Sequence, residues 1–163
     1  EMKATGEVLG IGKEFGTALN KAYAAAGVEI NNKEKGIFVT LSDDEKPNFI
    51  KTINKYLELG FTLYTTRGTG EFLKANGIDS VIVGKADDIG KTSLTIIEDK
   101  LVSLVINTPT YANELSDGWK IRRLSHETGV AVVSSVREAD AFIEAFLNQN
   151  LVLDDLEVIQ DVS

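Results

Sequence analysis

The sequence predicts an α/β domain of three layers, a mainly parallel five-stranded sheet with helices on both faces. Three observations carry this. Five short apolar runs, Ile37 to Leu41, Phe61 to Tyr64, Ser80 to Val83, Leu101 to Ile106 and Val130 to Val133, have the character of strands buried in a parallel sheet. Stretches with helical spacing of apolar residues alternate with them. Gly60, Gly77 and Gly129 stand where the intervening helices stop.

Taken in order, residues 1–12 read as an entry segment, EMKATGEVLGIG, with two glycine-containing turns. The domain proper runs over residues 13–150. Its first helix is carried by Phe15, Leu19, Ala22, Tyr23 and Ala26, and Gly27 ends it. Asn31 to Lys35 form a polar loop, and Ile37 to Leu41 follow as the first strand. Asp43 and Asp44 favour the next helix start, with Pro47 tolerated in its first turn because the missing N–H has no partner there. Phe49, Ile50, Ile53 and Leu57 give that helix its stripe. Phe61 to Tyr64 form the second strand, rich in aromatic and β-branched residues. The TTRGT turn, Thr65 to Thr69, follows it, and a short helix runs from Glu71 to Asn76. After the third strand comes a polar loop, Gly84 to Thr92, then a short helix over Leu94 to Glu98 and the fourth strand, ending at Asn107 and Thr108. Asp117 to Thr128 form a helix, and the fifth strand leads to a last helix with Ser135 and Glu138 at capping-box spacing. Residues 151–163 are an acidic tail.

Composition narrows the function classes. A net charge of −8 argues against a nucleic-acid partner or an anionic membrane surface, both of which call for a clustered positive field. There is no cysteine, hence no disulfide or thiolate chemistry, and one histidine makes a histidine-built metal site an unsuitable reading. No apolar run approaches the roughly 20 residues of a spanning helix, and nothing has the form of a signal peptide, so the cytoplasm is the expected location. The chain starts at Glu1 with its only methionine at position 2, and reads as a piece cut from something longer.

In parallel sheets ligands bind outside the carboxyl ends of the strands. That rule gathers Thr40 and Ser42, Thr65 to Thr69, Lys85, and Asn107 with Thr108 at one edge, and Lys46 joins them from the first turn of its helix. A strand ending in hydroxyls and glycine, feeding a helix N-terminus, offers N–H and O–H groups to an anion. The helix dipole supplies only about 0.3–1 kcal/mol, up to about 2 when partly buried. Micromolar affinity needs about 8 kcal/mol, so Lys46 and Lys85 have to contribute charge-assisted bonds, with Thr66, Thr69 and Asn107 adding neutral ones. The plain alternative is that the threonines cap helices and the lysines are solvated.

Other signals weaken. Gly84 to Thr92 nearly matches a P-loop, but five residues separate Gly84 from Gly90 where the pattern needs four. His126 falls late in its helix, towards the opposite edge, and Trp119 reads as a packing residue. Asp87 and Asp88 lie close to Lys85, where an acid is a candidate general base but in a polar loop is commonly just solvated. Lys120 to Arg123 is too short a basic run for nucleic acid and reads as a solvated or interface face.

The order GEVLGIG, TTRGT, GK before a polar loop, LVINTPT and DGWKIRR resembles the C-terminal regulatory domain of the large subunit of carbamoyl-phosphate synthetase, over roughly Glu1 to Leu147. The resemblance implies a methylglyoxal-synthase-like fold with an allosteric role, and makes residues 1–12 the junction from a preceding ATP-grasp domain. In bacterial members of that family UMP inhibits through this domain, and IMP and ornithine can activate. Carried over by position, the nucleotide phosphate falls to Lys46, Thr66, Thr69, Lys85 and Asn107, with Thr40 and Thr108 nearby; Pro109 replaces a second threonine of some members. The ornithine region falls at strand five, where Val132 stands for a tyrosine and Ser134 and Ser135 for two threonines, marking a second effector region. The resemblance implies no cofactor in this domain, ATP with Mg or Mn belonging to the full enzyme. It implies the remainder of the large subunit and a glutaminase small subunit as partners, together with oligomer contacts. Methylglyoxal synthase itself, a lyase of dihydroxyacetone phosphate, is the rival, but Thr40, Leu41, Ser42 and Asp43 stand where that enzyme has a His-Asp pair. A domain serving only interaction with partners is the third reading.

Overall fold

The computed structural model describes residues 36–85, 88–108 and 117–148. The expected first helix, the junction over residues 1–12, Asp87, Pro109 and the acidic tail lie outside them.

Apolar runs too short for helices become strands: β1 Gly36–Thr40, β2 Thr62–Thr65, β3 Val81–Ile82, β4 Val102–Asn107 and β5 Ala131–Val133. All pair in parallel, in the order β3-β2-β1-β4-β5. Helices α1 Lys46–Glu58, α2 Arg67–Ala75, α3 Ser93–Glu98 and α4 Asp117–Thr128 connect them. A final helix, α5, spans residues 136–148. The expected three-layer fold is the fold found. One apolar layer packs α1, α2 and α5 on the sheet through Phe49, Ile53, Leu73, Phe142 and Ile143. The other packs α3 and α4 through Ile96, Ile97 and Ile121 against Phe38 and Val105. The central strand β1 therefore reads as a continuous apolar run, because both of its faces are covered.

Two expected boundaries move. The TTRGT segment is not a free turn: Thr66 is the N-cap of α2, and Arg67 to Thr69 already form its first turn. Glycines argue for a turn in sequence, but Gly70 serves close packing here. A Cβ on it would lie 2.6 Å from Thr65 Oγ1 and 2.7 Å from Ile82 Cγ1, so only glycine lets α2 approach the sheet this closely. The third strand shrinks to two residues at the sheet edge, where Val81 and Ile82 stay 42% and 41% exposed. Pro47 does sit in the first turn of α1. The N-cap there is Glu45 rather than an aspartate, and its side chain makes no cap bond.

α1 and α5 are fastened side by side. Lys55 Nζ lies 2.8 Å from both Asp140 Oδ1 and Glu144 Oε1, and Thr52 Oγ1 donates to Asp140 Oδ1 at 3.1 Å. The buried Tyr56 hydroxyl donates to the Ala139 carbonyl at 2.7 Å. Hydrogen bonds to Asp140 and Glu144 raise the Lys55 ammonium above its ordinary pKa, and burial pushes the Tyr56 phenol well above its own.

Candidate functional site

The strand order decides where a ligand can lie. The chain works outward from β1 to β2 and β3, then returns to place β4 on the other side of β1 and β5 beyond it. At this reversal α1, which follows β1, and α4, which follows β4, pack on opposite faces, the arrangement that in open α/β sheets places ligands at the carboxyl ends of the strands. Thr40 and Asn107 are register partners at that seam, and the Thr108 N–H donates to the Thr40 carbonyl at 3.0 Å.

Hydroxyls knit the edge together on both sides of the seam. Thr69 Oγ1 accepts from the buried Leu41 N–H at 3.1 Å, and Thr108 Oγ1 accepts from the Ser42 N–H at 2.6 Å. Thr66 Oγ1 lies 3.3 Å from Thr40 Oγ1 and 3.4 Å from Thr69 Oγ1. Turned towards these partners, the Thr66 side chain makes no cap bond to its own helix. The N–H groups of Arg67, Gly68 and Thr69 have no intrahelical acceptor in the first turn of α2. Three hydroxyls and a helix N-terminus thus converge, with the partial positive charge of the helix dipole behind them.

Lys46 reaches this place from α1. Its ammonium lies 3.7 Å from the position that a Cβ on Gly68 would occupy. Its side chain is 16% exposed and is held at 2.6 Å by Asp43 Oδ1, whose own side chain is 95% exposed. The hydrogen bond from Lys46 keeps the Asp43 carboxyl below its usual range.

Across the seam, the buried Asn107 donates through Nδ2 to the Gly118 carbonyl at 3.0 Å, tying β4 to the first turn of α4. Arg122, one turn further on, directs its guanidinium back along the helix, with Nη1 3.9 Å from where a Gly118 Cβ would stand. The basic run splits in two. Arg123 is on the solvated face, paired with Glu127 at 3.1 Å and 5.4 Å from the Trp119 ring centroid, whereas Arg122 returns to the carboxyl edge. The four-residue spacing from Gly118 to Arg122 was the available signal for this.

The other sequence candidates stand on the loops after β3 and β5 and along α4. Lys85 is exposed, and its backbone N–H donates to Asp88 Oδ2 at 2.8 Å, so that aspartate closes the loop turn. The P-loop look-alike ends in a self-contained cap, in which Thr92 and Thr95 exchange backbone and side-chain bonds at the start of α3. Ser135 Oγ accepts from the Glu138 N–H at 3.0 Å, while the Glu138 carboxylate takes the Ser134 N–H and the Ser135 hydroxyl, each at 3.2 Å. The serine half of the expected capping box forms, while the glutamate half closes on the N–H one residue before the N-cap. His126 sits in the last turn of α4. No group of three or more His, Cys, Asp or Glu fit to hold a metal occurs among the described residues. No helix among them is long and apolar enough to cross a membrane.

The MGS-like domain family matches residues 48–134. This chain belongs to that family. It is similar to the carbamoyl phosphate synthase large chain of Lachnoclostridium phytofermentans, 39% identical over 149 residues that cover 91% of this chain and 14% of that protein. It is also similar to the C-terminal section of the carbamoyl phosphate synthase large chain of Aquifex aeolicus, 38% identical over 89% of this chain and 27% of that protein. For the corresponding section of Methanocaldococcus jannaschii the identity is 35%, over 89% of this chain and 24% of that protein. This MGS-like domain thus spans between about a seventh and about a quarter of the length of these relatives.

Proposed function

We propose that this MGS-like domain is the regulatory domain of a carbamoyl-phosphate synthetase large subunit, and that it binds a nucleoside monophosphate across the seam between β1 and β4. UMP is the inhibitory ligand and IMP the activating one. The phosphate rests on the first-turn N–H groups of α2, receives the Thr66 hydroxyl and takes a charge-assisted bond from Lys46. The nucleoside extends towards Asn107 and Thr108. The remainder of the large subunit and the glutaminase small subunit are the partners, in the cytoplasm, with contacts between copies of the assembly.

One observation carries the reading: an uncapped helix N-terminus whose own N-cap threonine turns aside to join Thr40 and Thr69, with the Lys46 ammonium beside it. Capping its own helix is what an N-cap threonine ordinarily does. The relatives supply the protein class, since those named above are carbamoyl phosphate synthase large chains or their C-terminal sections. Binding then shifts the loops after β1 and β2. Its effect on a joined catalytic region is limited to the difference in affinity between two states, typically about 1–3 kcal/mol.

Calorimetric titration of the 163-residue chain with UMP, with inorganic phosphate as control, tests this. Saturable UMP binding tighter than phosphate and weakened at least tenfold in Lys46→Ala is the expected result. Absence of UMP binding at millimolar concentration removes the nucleotide reading. Lys85→Ala decides whether that exposed lysine closes over the ligand: unchanged UMP affinity excludes it from the site.

A further inference from the structure

Lys46 is neutralised by its own chain. Its side chain as a whole is 16% exposed and its ammonium lies beside the first turn of α2, yet its nearest partner is the carboxylate of Asp43. The three-residue spacing keeps this contact local to the start of α1, and Asp43 stands almost wholly in solvent. The two partners are unequal as a result. Lys46 is fixed in place by its surroundings, while Asp43 can rotate into water without loss of packing.

Resting on the phosphate reading above, we infer that Asp43 is a built-in competitor at the anion site, a carboxylate that a phosphate monoester must displace from Lys46 in order to bind. Two of its features fit a competitor rather than a clamp. A residue that positioned Lys46 for a ligand would itself be held, by burial or by a second bond. Asp43 has neither: Lys46 is the one side-chain partner found for it among the described residues. Its oxygen also takes the bond from Lys46 that a phosphate oxygen would take, at 2.6 Å, the short distance of a charge-assisted contact. Exchange favours a dianion, because a phosphate adds bonds to the α2 N–H groups and the Thr66 hydroxyl that a carboxylate tethered at position 43 does not make. Asp43 thereby sets a threshold. Weak anions gain too little over the resident carboxylate, and affinity for the intended ligand is held below what the cradle alone would give.

The test is a double-mutant cycle on the 163-residue chain, titrated with inorganic phosphate and with UMP and followed by calorimetry and by the amide signals of Gly68 and Thr69 in NMR. Asp43→Asn is expected to tighten both ligands roughly three- to tenfold and to steepen the loss of affinity with added salt, because the site then carries an uncompensated charge. Asp43→Glu is expected to return affinity towards that of the parent chain. In the Lys46→Met background, Asp43→Asn should have no effect. Unchanged or weaker binding by Asp43→Asn, in a parent chain that does bind phosphate at Gly68 and Thr69, overturns the competitor role and leaves the phosphate reading standing. Failure of the parent chain and of every variant to shift those amides overturns both.

Discussion

Two strand-to-helix junctions at the same edge of this sheet solve the same problem in opposite ways. After β5, Ser135 Oγ accepts the Glu138 N–H, the Glu138 carboxylate holds that hydroxyl in place, and Glu45 Oε1 takes the Val136 N–H, so the first turn of α5 has acceptors. After β2, Thr66 makes no cap bond and its hydroxyl joins Thr40 and Thr69 instead, so the first turn of α2 keeps its N–H groups on offer. A satisfied junction contributes to stability, whereas one that leaves donors available is the kind on which the proposed binding depends. Hydroxyl content alone does not separate the two, since both are built from serine or threonine; what separates them is whether a carboxylate sits three residues into the helix. Position 138 has one, and position 69 carries Thr69 in its stead.

The contrast can be broken or sharpened by substitutions, the largest expected effect first. Gly70→Val forces a side chain against Thr65 and Ile82, and should cost roughly 1–3 kcal/mol in urea unfolding, with loss of phosphate binding as α2 moves off the sheet. Thr69→Val keeps the volume but leaves the buried Leu41 N–H without its acceptor, a cost of roughly 1–3 kcal/mol by the same measurement. Ser135→Ala removes a cap and should cost about 1 kcal/mol while phosphate affinity stays within twofold. Thr66→Ala is the mirror case. Stability should change by no more than about 0.5 kcal/mol, because no cap bond is lost, while phosphate affinity falls several-fold. If Ser135→Ala weakened phosphate as much as Thr66→Ala does, the two junctions would not differ in kind.

A last expectation concerns pH, away from either junction. Lys55 and Tyr56 both have their folded pKa raised above the unfolded values of 10.5 and 10.0. Their contributions are therefore fully present below about pH 10 and are lost as pH rises through the folded values. Thermal unfolding should show an alkaline loss of stability, diminished in Lys55→Met and in Tyr56→Phe. A loss of equal size in both variants would place its origin elsewhere.

Much of the fold is legible in the residues because periodicity and glycine stops are local signals. Asp117 to Thr128 is the predicted helix to the residue, Ser135 takes the Glu138 N–H as the spacing implies, and all five strands fall within one residue of expectation at each end. The start of α2 was not legible, since Gly68 and Gly70 carry the mark of a turn and only the neighbouring sheet shows that Gly70 is there for contact. β3 is shorter than its apolar run because it pairs on one side only. At the edge, Thr40, Thr66, Thr69 and Asn107 were found by the rule that parallel strands share a carboxyl end. Asp43 and Arg122 were not, because their place depends on which way a side chain turns, in the turn before α1 for Asp43 and along α4 for Arg122.

The backbone just after β1 is gripped from both directions: Thr69 holds Leu41 and Thr108 holds Ser42, from elements 28 and 66 residues further along the chain. In a nascent chain Lys46, Thr66 and the first turn of α2 emerge before β4, but the Thr108 side of the seam and its hold on Ser42 wait until β4 has docked beside β1. A ligand that reached from Lys46 and α2 across to Asn107 and Thr108 would meet its full set of contacts only in the finished domain, and would draw late folding steps towards completion by mass action.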